Sequence, residues 1–227
     1  MTAEEPAPSA QDGFEAFAAL AAHQLGEAVA LMRGAAAVLE GQQSALGPGG
    51  QDALRALSAG GDRAQRFVDD LLDVVRAGGE PVGDAVAELD PAFDAATAQL
   101  EGFLHRVPVH VQREPLPRAA IEGGDARRVF SHLLRSALAA GATRVGVTGR
   151  VEGAEVVVEL FDNGAPAPEG TNPFAPLARP RGRGLLVGAG VSLPVVRRLV
   201  TRSDGRIAMA VRSDGATIIT VELPVPR

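Results

Sequence analysis

The sequence predicts an α+β protein in which an antiparallel helical hairpin precedes an α/β sandwich. Three observations carry this. Before residue 80, apolar residues recur at three- and four-residue intervals over two long runs, the period of an amphipathic helix. Beyond residue 80 the patterning is mixed, with short strand-like runs interleaved with helical ones. Four of the strand-like runs form two adjacent hairpin-like pairs, the arrangement of one sheet covered by helices on one face. The expected boundaries are 1–13 for a disordered tail, 14–80 for the hairpin and 81–227 for the sandwich.

Met1 to Gly13 is polar and acidic with two prolines, which reads as a disordered tail and not as a signal peptide. Phe14 to about Glu40 is helical, with an apolar stripe through Ala18, Ala21, Leu25, Ala28, Met32, Ala36 and Leu39. The glycines and proline between Gly41 and Gly50 interrupt it. A second helix covers about Gln51 to Ala77, with Leu54, Leu57, Ala64, Val68, Leu71 and Val75 on its apolar face. Gly60-Gly61 weakens its middle, and Gly78-Gly79 ends it. Two helices alone bury too little, so pairing with a second copy into a four-helix bundle is expected, and with it a homodimer.

In the second part, a helix is expected from Pro91 to Leu104 and a strand from Val107 to Gln112. Asp125 is expected to cap a helix from Ala126 to about Ala140. Strands follow at Thr143 to Thr148 and Ala154 to Phe161, then a loop from Asp162 to Pro173. Glycine-rich sequence from Arg181 to Gly190 opens a helix from about Val191 to Arg202. Two last strands, Arg206 to Arg212 and Ala216 to Leu223, flank the turn at Ser213-Asp214-Gly215.

Composition narrows the function. There are no cysteines, which excludes disulfides, thiolate metal sites and cysteine nucleophiles. Lysine is absent too, so arginine supplies all 22 positive charges. The net charge of -6 argues against nucleic acid as a partner, because phosphate backbones are bound by a positive excess. No apolar run approaches the roughly 20 residues needed to span a bilayer, so no membrane partner and a cytoplasmic location are expected.

His23 lies on what should be the wet face of the first helix, on the order of 170° from the middle of the apolar stripe. Gln24 adjoins it, and Glu27 stands one turn on as a second polar group. The other histidines, His105, His110 and His132, do not fall at metal-ligand spacing with one another and read as structural or surface residues.

Together with the motifs downstream, this segment resembles the core of a two-component sensor histidine kinase, from about Phe14 to Leu223. The stretch AHQLGEAV at Ala22 to Val29 looks like the phosphoaccepting box, in its phytochrome-like form. The run FVDDLLDVVR at Phe67 to Arg76 looks like the end of the second bundle helix. VFSHLLRSA at Val129 to Ala137 looks like the helix that normally carries an asparagine for magnesium, with Ser136 at that position and His132 at its neighbour. Asp162, Asn163 and Gly164 resemble the adenine-recognising turn, Phe174 the lid phenylalanine, and Gly188 with Gly190 the phosphate loop. The resemblance implies a dimerisation and histidine-phosphotransfer hairpin followed by a GHKL-type ATPase sandwich, with ATP and Mg²⁺ as cofactors. It also implies a response-regulator receiver domain as partner, and a separate sensor protein as a source of input.

The departures bear on the activity. The acid that follows the histidine in the family is Gln24, which cannot act as a base. The helix-bending proline is Ala28, and the lysine and aromatic near the nucleotide are Ala139 and Ala140. Ser136 offers Mg²⁺ only a short hydroxyl, Pro166 replaces a glycine after Asp162-Asn163-Gly164, and Ser192 replaces one in the phosphate loop. Phosphoryl transfer from ATP depends on positioning and charge neutralisation, so these changes mark the ATP domain as degenerate. The expectation is therefore a phosphotransfer protein in which His23 exchanges a phosphoryl group with a receiver aspartate. A divergent autokinase and a dimeric pseudokinase scaffold are the alternatives.

Overall fold

The computed structural model describes residues 10–77, 83, 85–104, 108–175 and 192–227. The chain divides into two compact units, Met1–Arg76 and Ala77–Arg227.

The first unit is an antiparallel pair, α1 (Ala10–Glu40) and α2 (Pro48–Arg76), joined by a turn that holds a short 3-10 segment, Gln43–Ala45. Alanine costs the least of any residue in a helix, and the alanine-rich sequence carries α1 back to Ala10. The expected tail is thus helical over its last part, Ala10 to Gly13. Likewise α2 begins at Pro48, inside the segment read as a break. Proline is well placed there, because the first residues of a helix have no intrahelical acceptor for their N–H. The Gln51 side chain ties the turn down by donating to the carbonyls of Gln43 at 3.2 Å and Leu46 at 3.1 Å.

The face of α1 that meets α2 differs from the expected stripe. Ala22, Val29 and Ala36, seven residues apart, are buried, and Ala22 and Val29 pack with Val68, Ala64 and Leu72. Gly26 sits in the same row, with room for a Cβ only 3.6 Å from a Val68 methyl. Small residues at a seven-residue repeat let the two helices approach closely. Leu25, Met32 and Leu39 of the expected stripe fall on the flank of this contact and stay 43%, 44% and 38% exposed. On α2, Leu54 and Val68 are buried as expected, whereas Leu57 remains exposed.

The second unit is an α+β sandwich. Its elements are β1 (Ala87–Glu88), α3 (Leu89–Gln99), α4 (Glu101–Leu104), β2 (His110–Arg113), β3 (Arg118–Ala119), α5 (Gly123–Ala139), β4 (Arg144–Glu152), β5 (Glu155–Asp162), α6 (Ser192–Arg202), β6 (Arg206–Val211) and β7 (Thr217–Pro224). The main sheet has the order β2-β4-β5-β7-β6, and β1 pairs with β3 apart from it. Only β2 with β4 is parallel. Along β7 every second residue, Thr217, Ile219, Val221 and Leu223, is buried, the alternation of a sheet with one covered face. Ala126, Val129, Phe130 and Leu133 of α5 meet Val158, Val221 and Leu223 of the sheet around a small apolar cavity. Phe93 of α3 meets Phe130 of α5 edge to face, with centroids 5.3 Å apart.

Three details correct the expected elements. The helix expected from Pro91 to Leu104 starts at Leu89 and breaks at Leu100, whose N–H turns back to the Thr97 carbonyl at 3.0 Å. Pro91 is tolerated because it falls in the first turn of α3. Asp125 is not the cap of α5. The helix begins at Gly123 after an extended Glu122, and Asp125 is buried in its first turn, where it pairs with Arg128 and with Arg202 at the end of α6. A carboxylate at a helix N-terminus and an arginine at a helix C-terminus each complement the local dipole, so the pair joins two helix ends of opposite sign.

Candidate functional site

Two clusters hold the candidate residues, one in each unit. In the hairpin, buried Ala22 fixes the rotation of α1 and turns its neighbour His23 outward, with the imidazole side chain 69% exposed. Glu27, one helical turn on, is 65% exposed and brings Oε1 to 3.6 Å from His23 Nε2. Gln24 is exposed beside them. Residues four apart are neighbours on one face of a helix, so the repeat itself brings these two side chains together. Among the three, Glu27 is the one with an oxygen beside the imidazole.

In the sandwich, Asp162 ends β5 and is fully buried. Its Oδ1 accepts the Gly164 N–H at 2.9 Å, which folds the chain sharply after the strand. Asn163 is used for architecture. Its Oδ1 accepts the N–H groups of Thr143 and Arg144, both at 2.9 Å, and its Nδ2 donates to Thr143 Oγ1 at 2.9 Å. These bonds anchor the start of β4. Gly164 lies against the end of α5, where Ala165 donates to the Ala140 carbonyl at 2.8 Å. A Cβ on Gly164 would stand 2.6 Å from the Ala140 Cβ, so glycine is required there by space.

Ser136 is buried one turn before Ala140, and His132 is buried one turn earlier still, placing all three on one face of α5. Among the described residues no group of three or more histidine, aspartate or glutamate side chains is placed to hold a metal ion. Ser136 offers one short hydroxyl at the position expected for the metal ligand, and an octahedral Mg²⁺ there would take the rest of its oxygens from water and phosphate. Gly188 and Gly190, expected to form the phosphate loop, lie outside the described residues. Phe174 is half-buried, its N–H bonded to Asn172 Oδ1 at 3.0 Å.

Sequence reasoning missed Thr217. It faces Asp162 as its register partner across β5 and β7, and both are fully buried. The only local signal is a threonine opening a strand two residues after Gly215, and the pairing that brings it to Asp162 is not visible in one sequence.

Comparison with known proteins accords with this architecture. The family described as histidine kinase-, DNA gyrase B-, and HSP90-like ATPase matches residues 123–227, from the first residue of α5 onward. Sensor protein KdpD of Escherichia coli (strain K12) is 29% identical over 166 residues, 70% of this chain. The chain spans only 18% of the length of that curated relative. The full-length ShkA structure in complex with AMPPNP has a TM-score of 0.67 at 20% identity, covering 91% of this chain and 45% of that one. The histidine kinase AdeS of Acinetobacter baumannii has a TM-score of 0.58 at 13% identity, covering 90% of this chain and 98% of that one. At such identities the two structures show the fold alone. The matched model and these neighbours together show likeness to the ATPase domain over residues 123–227 and to the fold of histidine-kinase structures over most of the chain.

Proposed function

We propose that the chain is a phosphotransfer member of a two-component system, with His23 taking a phosphoryl group from, or giving it to, a response-regulator aspartate. The observation that carries this is the outward imidazole of His23, beside Glu27, on a helix held by buried neighbours. Such transfer needs an accessible nucleophile and a docking surface, while the receiver supplies the aspartate and its metal. In this reading residues 14–80 form the dimerisation and phosphotransfer hairpin, of the phytochrome-like kind, and 81–227 a degenerate ATP-binding domain. The apolar flank of Leu25, Met32 and Leu39 supports a second copy as the dimer partner. No helix among the described residues is long and apolar enough to cross a membrane.

A divergent autokinase is the second reading, favoured by the intact turn of Asp162, Asn163 and Gly164. Asp162 would recognise the adenine, and the replacement of the metal asparagine by Ser136 weighs against rapid transfer from ATP. Two incubations separate the readings. Label from a phosphorylated receiver domain should appear on wild type and vanish in His23→Ala. Label from γ-labelled ATP with Mg²⁺ at a rate matching a control kinase would replace the relay by the autokinase. If neither donor labels the protein, only a scaffold role stands.

A further inference from the structure

We infer that β6 is a docking edge for a second copy of this chain, the two strands pairing antiparallel about a two-fold axis at Ala208. The inference is independent of the reading of His23. Among the described residues β6 pairs only with β7, so it forms one edge of the main sheet. The Arg212 N–H donates to the Ala216 carbonyl at 2.8 Å, which fixes the phase of that ladder. Arg206, Ala208 and Ala210 therefore turn their backbone groups toward β7, and Ile207, Met209 and Val211 turn theirs away. An edge of this kind is normally blunted by a charge, a proline, a bulge or shortness. The opposite edge follows that rule, since β2 is four residues long, and its Arg113 is tied to Asp90 and Asp94. β6 departs from it. Ile207 to Val211 is apolar throughout, its register with β7 runs unbroken, and Ala208, Ala210 and Val211 are exposed.

Charge complementarity selects the second copy and the register. Antiparallel self-pairing has to match Ile207, Met209 and Val211 with one another, and axes at Ala208, Met209 or Ala210 do so over most of the strand. An axis at Met209 sets Arg206 directly opposite the Arg212 of the second copy, a like-charge pair. An axis at Ala210 runs Ile207 against Ser213, in the turn beyond the strand. An axis at Ala208 pairs Ile207 with Met209 on both sides and sets exposed Arg212 opposite Asp204, exposed at its left-handed position before β6. The half-buried Ile207 and Met209 side chains then meet across the seam, and their outward N–H and C=O groups are satisfied. Ala208 itself carries no bulk to hold the strands apart.

The chain has no cysteine, so a single introduced thiol reports a single position. At the axis the two Cα atoms of Ala208→Cys would lie about 4.5 Å apart, within the span of a disulfide. Those of Ala210→Cys would lie about 14 Å apart. Under mild oxidation of the full chain, Ala208→Cys should cross-link on the order of tenfold faster than Ala210→Cys or, on β2, Gln112→Cys. Amide exchange gives a second readout. The Ile207 and Met209 amides should exchange roughly tenfold slower in wild type than in Ala208→Arg, which sets two like charges at the axis. The Ala208 and Ala210 amides, bonded to β7, should stay slow in both and so report an intact fold. Association through the hairpins alone gives neither result. Cross-linking fastest at Ala210→Cys, or equal at all three sites, overturns the inference, as does exchange at Ile207 and Met209 that is no slower in wild type than in Ala208→Arg. Slow exchange there without a cross-link at Ala208→Cys would mean that another strand covers β6, and removes the second copy as its occupant.

Discussion

Gly164 stands so close to the end of α5 that a methyl group there would meet the Ala140 Cβ, the Ala140 carbonyl oxygen at 3.0 Å and Asp162 Oδ1 at 3.0 Å. Gly164→Ala should therefore push the turn off α5, loosening the Gly164 and Ala165 hydrogen bonds, and cost about 1–3 kcal/mol. Urea unfolding of the variant checks this as a lowered midpoint at unchanged slope. Asn163 illustrates what a motif hides. It read as part of an adenine-recognising turn, yet its carboxamide is committed to Thr143 and Arg144. Asp162 and Gly164 were legible from the motif because a sharp turn after a strand needs both. Thr217 was not, since its relevance depends on a register between strands far apart in sequence. His23 was legible as an outward residue, and its contact with Glu27 follows directly from the helical repeat.

At the scale of elements, the join between α5 and α6 depends on one buried carboxylate. Asp125→Ala removes the partner that Arg202 and Arg128 share, and breaking a buried pair of this kind costs about 3–5 kcal/mol. Thermal unfolding should show the loss, and Asp125→Asn should recover part of it by accepting one hydrogen bond. The chain after α6 is equally constrained. Asp204 adopts a left-handed φ of 56°, and Gly205 is pinned by space, since a Cβ there would lie 2.9 Å from Val200 Cγ1 and 3.0 Å from Leu223 Cδ2. If the hairpin pairs with a second copy through the Leu25, Met32 and Leu39 flank, Met32→Glu should lower the mass found by light scattering from dimer toward monomer. The same change at Leu31, on the order of 180° from the Ala22–Val29 row, should leave it unaltered. Element types were legible because apolar periodicity differs between helix and strand. The packed face of α1 was not, because the choice between two neighbouring apolar stripes is made by α2, with small residues allowing the closer approach.

The molecule as a whole consists of two units with separate cores. Their stabilities should respond differently to dilution. If the hairpin pairs with a second copy, its denaturation midpoint should rise with protein concentration, and the transition of residues 77–227 should not. Circular dichroism at two concentrations a hundredfold apart would resolve this, and a single transition independent of concentration would refute it. The division near residue 80 was legible as a change of hydrophobic period. The sheet order was not, because β7 inserts between β5 and β6 and no sequence pattern states which neighbours a strand will choose. That insertion bears on synthesis. β5 and β6 emerge from the ribosome with the edges that will flank β7 still unsatisfied, and the sandwich cannot close until Thr217 to Pro224 has followed. A nascent chain stalled after Val211 should remain sensitive to protease and exposed to strand-to-strand association with its neighbours on the polysome. Release of the last strand would then be the event that commits this half of the protein to its native state.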